Sequence, residues 1–168
     1  KLLPNLADRG WIFSRILALV IIGYFSWLLG ILKILPLSQL SIFTLVLLLF
    51  GLNLIIKLLS KKPWFGGTPS KIFILEEIIF LGGFTFWIFI RSHNPDIHDL
   101  EKYMDFGFIN SILRSNYFPP KDMWLSGGTI NYYYFGHLIS ALLIKALGTR
   151  PEIGYNLTLS LLFALTLT

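Results

Sequence analysis

Two long stretches of the sequence contain no charged residue at all. They run from Ile16 to Leu32 and from Ile34 to Ile56. A helix of about 20 apolar residues is what a hydrocarbon core of about 30 Å requires. Only 14% of the residues are charged, whereas a soluble domain carries about 25% in order to wet its surface. The chain is therefore expected to be an integral membrane protein and not a soluble globular domain.

Five hydrophobic segments divide the chain, and the water-free interior of a bilayer requires each of them to be helical. Residues 1–91 are predicted to hold three transmembrane helices, at about 11–32, 37–59 and 72–90. Residues 129–168 are predicted to hold a fourth transmembrane helix and the start of a fifth. The predicted fold class is all-α, a polytopic transmembrane helical bundle. Because the chain begins without methionine and stops inside an apolar run, it is expected to be a fragment of a larger protein.

Residues 92–128 form a long polar loop between the third and fourth segments. Within it, apolar residues recur at helical spacing from about 103 to 115, which predicts an amphipathic helix lying in the membrane interface.

Lysine and arginine predict the orientation of the chain. They cluster before the first segment, between the second and third, and after the fourth at Lys145 and Arg150. If the helices alternate in direction, these clusters share one face, which the positive-inside rule makes cytoplasmic. The prediction is a multi-pass protein of the cell membrane with a cytoplasmic amino terminus and an external 92–128 loop.

Composition excludes several kinds of chemistry. Cysteine is absent, so disulfides, thiolate metal sites and cysteine nucleophiles are excluded. The net charge of +5 reflects an excess of lysine and arginine over acidic residues. In a membrane protein such an excess usually lies in the cytoplasmic loops. We therefore expect the lipid bilayer as a partner and no nucleic acid.

The cofactor requirement is unknown from the sequence. A divalent metal site is one alternative, and its ligands would be His93, Asp96, His98, Asp99 and Glu101. Their spacing matches no strong metal signature, so no metal ligand is assigned.

Two carboxylates, Glu76 and Glu77, lie near the start of the third hydrophobic segment. Charged groups inside a membrane are costly unless they are paired or reach the interface. We expect them to reach the interface or to pair with Lys71 or Lys57.

Glu101 and Asp105 stand four residues apart in the polar loop, so a continuous helix would place both carboxylates on one face. The alternative is that they only solvate the outer face of the interfacial helix, or pair with Lys102 and Arg114. Likewise, the tyrosines at 132–134 stand where an aromatic belt is common.

Several motifs carry a resemblance to a known family. They are Glu101-Lys-Tyr-Met-Asp105-Phe, Phe118-Pro-Pro120, Trp124, Gly127-Gly128, Asn131-Tyr-Tyr-Tyr-Phe-Gly-His137, Pro4, Asp8-Arg-Gly10 and Tyr155-Asn156. With these motifs the chain resembles the "YYY" family, polytopic archaeal and bacterial membrane proteins of uncharacterised function that are named for a Tyr-Tyr-Tyr motif. That family more distantly resembles the C-type glycosyltransferases, which use polyprenyl-phosphate-linked sugars.

The resemblance implies a membrane glycosyltransferase-like protein that transfers a sugar from a polyprenyl-phosphate donor at the outer membrane face. In those enzymes an acidic catalytic residue lies in the first large external loop, where this chain has Glu101 and Asp105. Asp105, with Glu101 second, is implied as the base that takes the proton of the acceptor hydroxyl. The candidate substrate-binding residues are Arg91, Arg114, Asn131, Tyr132, Tyr133, Tyr134 and His137. The arginines and His137 would contact phosphate, and the tyrosines would stack on the sugar.

A different class of function stays open. The chain could be a non-catalytic integral membrane subunit that packs in a larger membrane complex, with its aromatic loop as a docking surface. Its partners would then be the remainder of the same polypeptide or other membrane subunits. A transporter is disfavoured, because the spanning segments lack the Gly/Pro-broken pairs and midplane charges of such proteins.

Overall fold

The computed structural model describes residues 8, 10–60 and 70–168, and it confirms the all-α class. Its helices are α1 (Trp11–Ile31), α2 (Gln39–Ser60), α3 (Ser70–His93), α4 (Leu100–Arg114), α5 (Phe135–Leu147) and α6 (Pro151–Leu167). The amphipathic helix predicted in the polar loop is α4, which begins earlier than expected. Within the described part of the chain, β structure is limited to one isolated bridge between Lys121 and Thr129.

Three helices, α1, α2 and α3, are long and apolar enough to cross a membrane. They contain 21, 22 and 24 residues, which at 1.5 Å per residue exceeds a hydrocarbon core of about 30 Å. The most apolar window of each helix is only 11%, 11% and 6% buried within the protein. Large apolar side chains are therefore exposed on these helices, as expected of surfaces that contact lipid.

Helix α6 runs antiparallel to α3 along an extensive contact. Near the start of α6, the Asn156 side chain accepts a hydrogen bond from Arg91 at the end of α3. Further along, the rings of Phe163 and Trp87 stack with centroids 4.4 Å apart. Helix α6 therefore begins beside the carboxyl end of α3 and returns along it.

The carboxyl end of α5 lies beside the connection between α1 and α2. The Nζ of Lys145 donates to the backbone oxygen of Leu37 at 2.6 Å, and the Gln39 amide donates to the backbone oxygen of Ala146 at 2.9 Å. One end of the bundle thus gathers the α1–α2 connection, the end of α3, helices α4 and α5, and the start of α6. We call this end the loop face.

The segment predicted as a fourth transmembrane helix contains α5, which is apolar but shorter than α1, α2 and α3. Helix α5 has 13 residues, about 20 Å at 1.5 Å per residue, which is shorter than the hydrocarbon core. The predicted placement of Lys145 and Arg150 on the face of Lys71 is wrong. Lys145 contacts Leu37 at the loop face, and Arg150 precedes α6 beside the end of α3. The orientation prediction therefore loses one of its three basic clusters.

The core of the loop face is built from elements distant in sequence. The apolar face of α4 contributes Ile109 and Ile112, and α5 contributes Leu138 and Ala141, all at most 2% exposed. Leu37 before α2 and Tyr155 of α6 pack against the same cluster. Removing these apolar surfaces from water is the driving force that holds α4 on α5. The amphipathic face of α4 is therefore covered by protein.

The 115–134 connection is folded against the helices. The backbone N–H of Leu37 donates to the oxygen of Asn116 at 2.7 Å. The buried ring of Phe118 stacks on Tyr134, with centroids 6.1 Å apart and 14° between the planes. On its other side the same ring lies against Gly30 of α1, where an added Cβ would overlap it. This ring therefore fixes the connection to a membrane-spanning helix.

A polar contact joins α1 to α3 at the end of the bundle away from the loop face. Glu77 forms a salt bridge with Arg15 and accepts a hydrogen bond from the Trp11 indole at 2.8 Å. The Arg15 guanidinium also lies 4.1 Å from the centroid of the Phe80 ring. Glu76 and Glu77 were expected to reach the interface or to pair with Lys71 or Lys57, whereas Glu77 pairs with Arg15 of α1. This pairing lowers the free-energy cost of placing the two charges in membrane-spanning helices.

Replacing Gly30 by alanine tests the attachment of the connection. Because the Phe118 ring is buried and stacked, it cannot move away cheaply, and we expect Gly30→Ala to cost about 1–3 kcal/mol of stability. Gly51→Ala is the matched control, since an added Cβ at Gly51 meets nothing within 4 Å. Thermal unfolding of the full chain in detergent measures the difference. Equal melting temperatures for the two variants would contradict the proposed role of the Phe118 contact.

Candidate functional site

The centre of the candidate site is a hydrogen-bonded pair formed by Asp105 of α4 and His137 of α5. The Nε2 of His137 lies 3.0 Å from the Oδ1 of Asp105. The side chain of Asp105 is 34% exposed, whereas that of His137 is 15% exposed. The two members therefore differ in access, and a ligand arriving from solvent meets the carboxylate first.

The surroundings of His137 restrict what its ring can do. Its Nδ1 is buried and has no hydrogen-bond partner within the described residues. The ring of Phe108 packs edge-to-face against the imidazole, with centroids 5.3 Å apart and an interplanar angle of 86°. The contact between Nε2 and the carboxylate holds the two side chains in a fixed relation. Asp105 is therefore the more accessible member of the pair, and His137 is the more enclosed one.

Glu101 lies one helical turn before Asp105, on the same side of α4, and its side chain is exposed. The pKa of Tyr133 is raised, first by its hydrogen bond with Tyr132 and further by the negative charges of Glu101 and Asp105. The ring of Phe108 contacts both His137 and Tyr132, with centroid distances of 5.3 Å and 6.0 Å, so the Asp105–His137 pair lies near the tyrosines.

The three tyrosines have different environments. Tyr132 and Tyr133 are 51% and 68% exposed, and their ring centroids are 4.0 Å apart. Tyr134 is half-buried, and its hydroxyl accepts a hydrogen bond from the indole of Trp27 at 3.0 Å. Burial raises the pKa of Tyr134, and the bond from Trp27 opposes this only in part. Tyr134 is therefore tied to α1, while Tyr132 and Tyr133 pack on each other and stay largely exposed.

A small aromatic cavity opens beside these tyrosines. Its volume is about 270 Å³, and it is lined by Tyr24, Trp27, Tyr132, Tyr133, Tyr134 and Phe135. Because two of these residues belong to α1, the cavity joins the loop face to a membrane-spanning helix. Aromatic faces with hydroxyl groups at their edges suit ligands that present both apolar and polar surfaces.

The two predicted arginines are not together. Arg91 donates its Nε to Asn156 of α6 at 2.7 Å and its Nη2 to the backbone oxygen of Asp96 at 3.3 Å, so it ties α3 to α6. Arg114 follows Asp105 by two and a half turns of α4, which places it on the opposite side of the helix and about 14 Å further along. The Arg114 side chain therefore does not face the Asp105–His137 pair.

The remaining predicted residues lie apart from the pair. Asn131 is exposed beside Tyr132. His93 contacts the backbone oxygen of Phe89 at 2.8 Å, and His98 contacts the hydroxyl of Tyr103 at 3.0 Å. No group of three or more His, Asp or Glu side chains that could hold a metal ion occurs within residues 8, 10–60 and 70–168.

Motifs in the sequence identified Asp105 and His137 as candidate residues, but they did not predict that the two side chains contact each other. Asp105 and His137 are 32 residues apart, and no helical or strand periodicity links two positions across such a distance. The hydrogen bond between Trp27 and Tyr134 links residues 107 positions apart, and no sequence pattern predicted it either. The signal that pointed to His137 was its place at the end of the Asn131–His137 motif.

Comparison with known proteins gives one match and two negative results. The model of a family described as uncharacterized membrane protein (DUF2298) matches residues 21–168. No curated protein and no solved structure matches the chain. The matched residues include the second half of α1, all of α2–α6 and both members of the Asp105–His137 pair. With its three apolar helices, the chain is thus a membrane protein that belongs to the DUF2298 family of uncharacterized membrane proteins.

Proposed function

We propose that this protein is a membrane glycosyltransferase-like enzyme that transfers a sugar from a polyprenyl-phosphate donor, with Asp105 as the base. One observation carries the proposal: the accessible carboxylate of Asp105 is hydrogen-bonded to the more buried His137 at 3.0 Å, next to exposed tyrosines. The motifs from Glu101 to His137 support it further, because they resemble the Tyr-Tyr-Tyr family and, more distantly, the C-type glycosyltransferases.

The proposed reaction needs one group that takes the proton of the acceptor hydroxyl. The oxygen of an acceptor hydroxyl attacks the anomeric carbon of the donor. The bond between that carbon and the phosphate oxygen breaks, and its electron pair leaves with polyprenyl phosphate. Asp105 takes the hydroxyl proton and returns it to water after transfer. His137 holds the carboxylate in place, and Glu101 is the second candidate for the base.

The placement of the tyrosines suits a lipid-borne donor. The sugar of such a donor hangs at the membrane surface, while its chain stays in the hydrocarbon. The aromatic cavity has Tyr24 and Trp27 of α1 on one side and Tyr132 and Tyr133 on the other. We propose that the sugar stacks on the exposed tyrosines and that the first isoprenoid units lie toward α1.

We further propose that the loop face is external and the amino terminus cytoplasmic. The basic residues before α1 and between α2 and α3 support this orientation. Helices α4 and α5 would then hold the site at the outer surface, where a lipid-linked sugar donor would meet it.

Single cysteines test the orientation directly, because this chain contains no cysteine of its own. Ser126 lies in the exposed connection at the loop face, and Ser60 ends α2 at the opposite end. In intact cells, a membrane-impermeant maleimide should label Ser126→Cys and should label Ser60→Cys only after permeabilisation. The reverse pattern would place the loop face in the cytosol and would remove the proposed outer-face reaction.

Replacing Asp105 by asparagine tests the chemistry. Asparagine keeps the size and much of the hydrogen bonding but cannot take the proton, so we expect transfer to fall by about 100-fold or more. The full chain in liposomes is supplied with polyprenyl phosphates bearing radiolabelled glucose or mannose and with host membranes as the acceptor source. Labelled product and released polyprenyl phosphate are then measured.

Asp96→Asn is the matched control for this experiment. Asp96 belongs to the same loop, and its side chain is 70% exposed, with His98 4.0 Å away as a weak partner. This variant should transfer sugar at the wild-type rate. If the native protein transfers no sugar from any donor, or if Asp105→Asn keeps full activity, the proposal fails. A non-catalytic membrane subunit would then be favoured.

A further inference from the structure

A second and larger cavity lies on the side of α4 that faces away from Asp105. Its volume is about 1080 Å³, and its lining does not include Asp105, Glu101 or His137. One wall is a face of α4 with Asn110, Ser111 and Arg114. The 115–123 segment forms the opposite wall, and Glu152 of α6 completes the lining.

The wall formed by residues 115–123 is held in place by specific contacts. The hydroxyl of Ser111 donates to the backbone oxygen of Lys121. The side chain of Met123 fills the space over Gly107, where an added Cβ would overlap its sulfur. The backbone N–H of Ile130 donates to the oxygen of Pro120 at 2.9 Å, which fastens the returning chain. The cavity is therefore bounded by an ordered turn packed on α4.

The carboxylate of Asp122, inside this turn, already accepts hydrogen bonds from the backbone. The Oδ1 of Asp122 accepts the backbone N–H groups of Trp124 at 2.8 Å and Leu125 at 3.0 Å. These bonds, that of Leu125 first, hold the pKa of the Asp122 carboxyl below its usual range. Glu152, the other acid in the lining, lies 3.5 Å from the Nε of Arg150. Both acids in the cavity therefore have partners of their own.

The two cationic side chains that line the cavity, Arg114 and Lys121, differ from these acids in their contacts. Within residues 8, 10–60 and 70–168, neither the Arg114 guanidinium nor the Lys121 ammonium takes part in a hydrogen bond or an ion pair. Both side chains are exposed. The cavity thus presents two cationic groups without protein partners, beside the polar side chains of α4.

We propose that this cavity binds a phosphate-bearing ligand, with Arg114 and Lys121 contacting the phosphate. A guanidinium presents a planar fork of N–H donors that matches two phosphate oxygens, and an ammonium adds a point charge. The cavity is far larger than a phosphate ion, so the rest of the ligand lies along Asn110 and Ser111. This chemistry is shared by phospholipid headgroups and by soluble phosphomonoesters.

The location of the cavity permits both sources. Asn116, in its wall, bonds to Leu37 at the α1–α2 connection, so the cavity lies at the level where the spanning helices end. It is separated from Asp105 by the body of α4. This binding site does not depend on the proposed sugar transfer, and either can fail without the other.

Binding to the full chain in detergent tests the inference. Glycerol 3-phosphate, titrated by calorimetry, serves as the soluble probe. Phosphatidylglycerol and phosphatidylcholine, offered in mixed micelles and counted by native mass spectrometry, serve as the lipid probes. We expect saturable binding of glycerol 3-phosphate or selective retention of phosphatidylglycerol. Arg114→Gln and Lys121→Gln should each weaken binding about tenfold or more, since each removes a charged hydrogen bond.

Lys102→Gln is the matched control, because Lys102 is on the same helix and its ammonium lies 3.9 Å from Asp99. This variant should bind the probes as the native protein does. Binding of glycerol 3-phosphate alone identifies a soluble ligand, and retention of phosphatidylglycerol alone identifies a lipid. The inference is overturned if the native protein binds neither probe, or if the Arg114 and Lys121 variants bind as well as Lys102→Gln.

Discussion

Packing of α4 onto α5 is the interaction on which the rest of the loop face depends. Ile112 of α4 and Leu138 of α5 are fully buried, and the apolar surface that they remove from water holds the two helices together. The same core receives Phe118, whose ring rests between Gly30 of α1 and Tyr134. The polar segments are thereby held against the ends of the membrane-spanning helices. Without this core neither cavity would have walls.

Helix α4 separates two polar environments. Its side toward α5 carries Asp105, which meets His137 beside an aromatic surface. Its other side carries Arg114, which with Lys121 lines the larger cavity. One 15-residue helix thus presents the Asp105 carboxylate on one side and the Arg114 guanidinium on the other.

The helices α1, α2 and α3 could be predicted from the sequence, whereas the direction in which α5 runs could not. Charge-free runs of the right length exclude almost every alternative to α1 and α2, because a bilayer requires both apolar side chains and a satisfied backbone. The apolar run at α5 is shorter, and periodicity alone does not distinguish a buried helix from a spanning one. Its direction decided where Lys145 lies. One of the three basic clusters was therefore assigned to the wrong end of the bundle.

The sequence by itself determined that hydrophobic helices cross a membrane and that Glu101 and Asp105 share one side of a helix. Both properties follow from composition and from the 3.6-residue period, which act over neighbouring residues. Only the tertiary structure decided that Asp105 meets His137, that Arg114 faces a separate cavity, and that Lys145 reaches Leu37. These contacts depend on how helices distant in sequence pack and in which direction each one runs, and no local pattern encodes either.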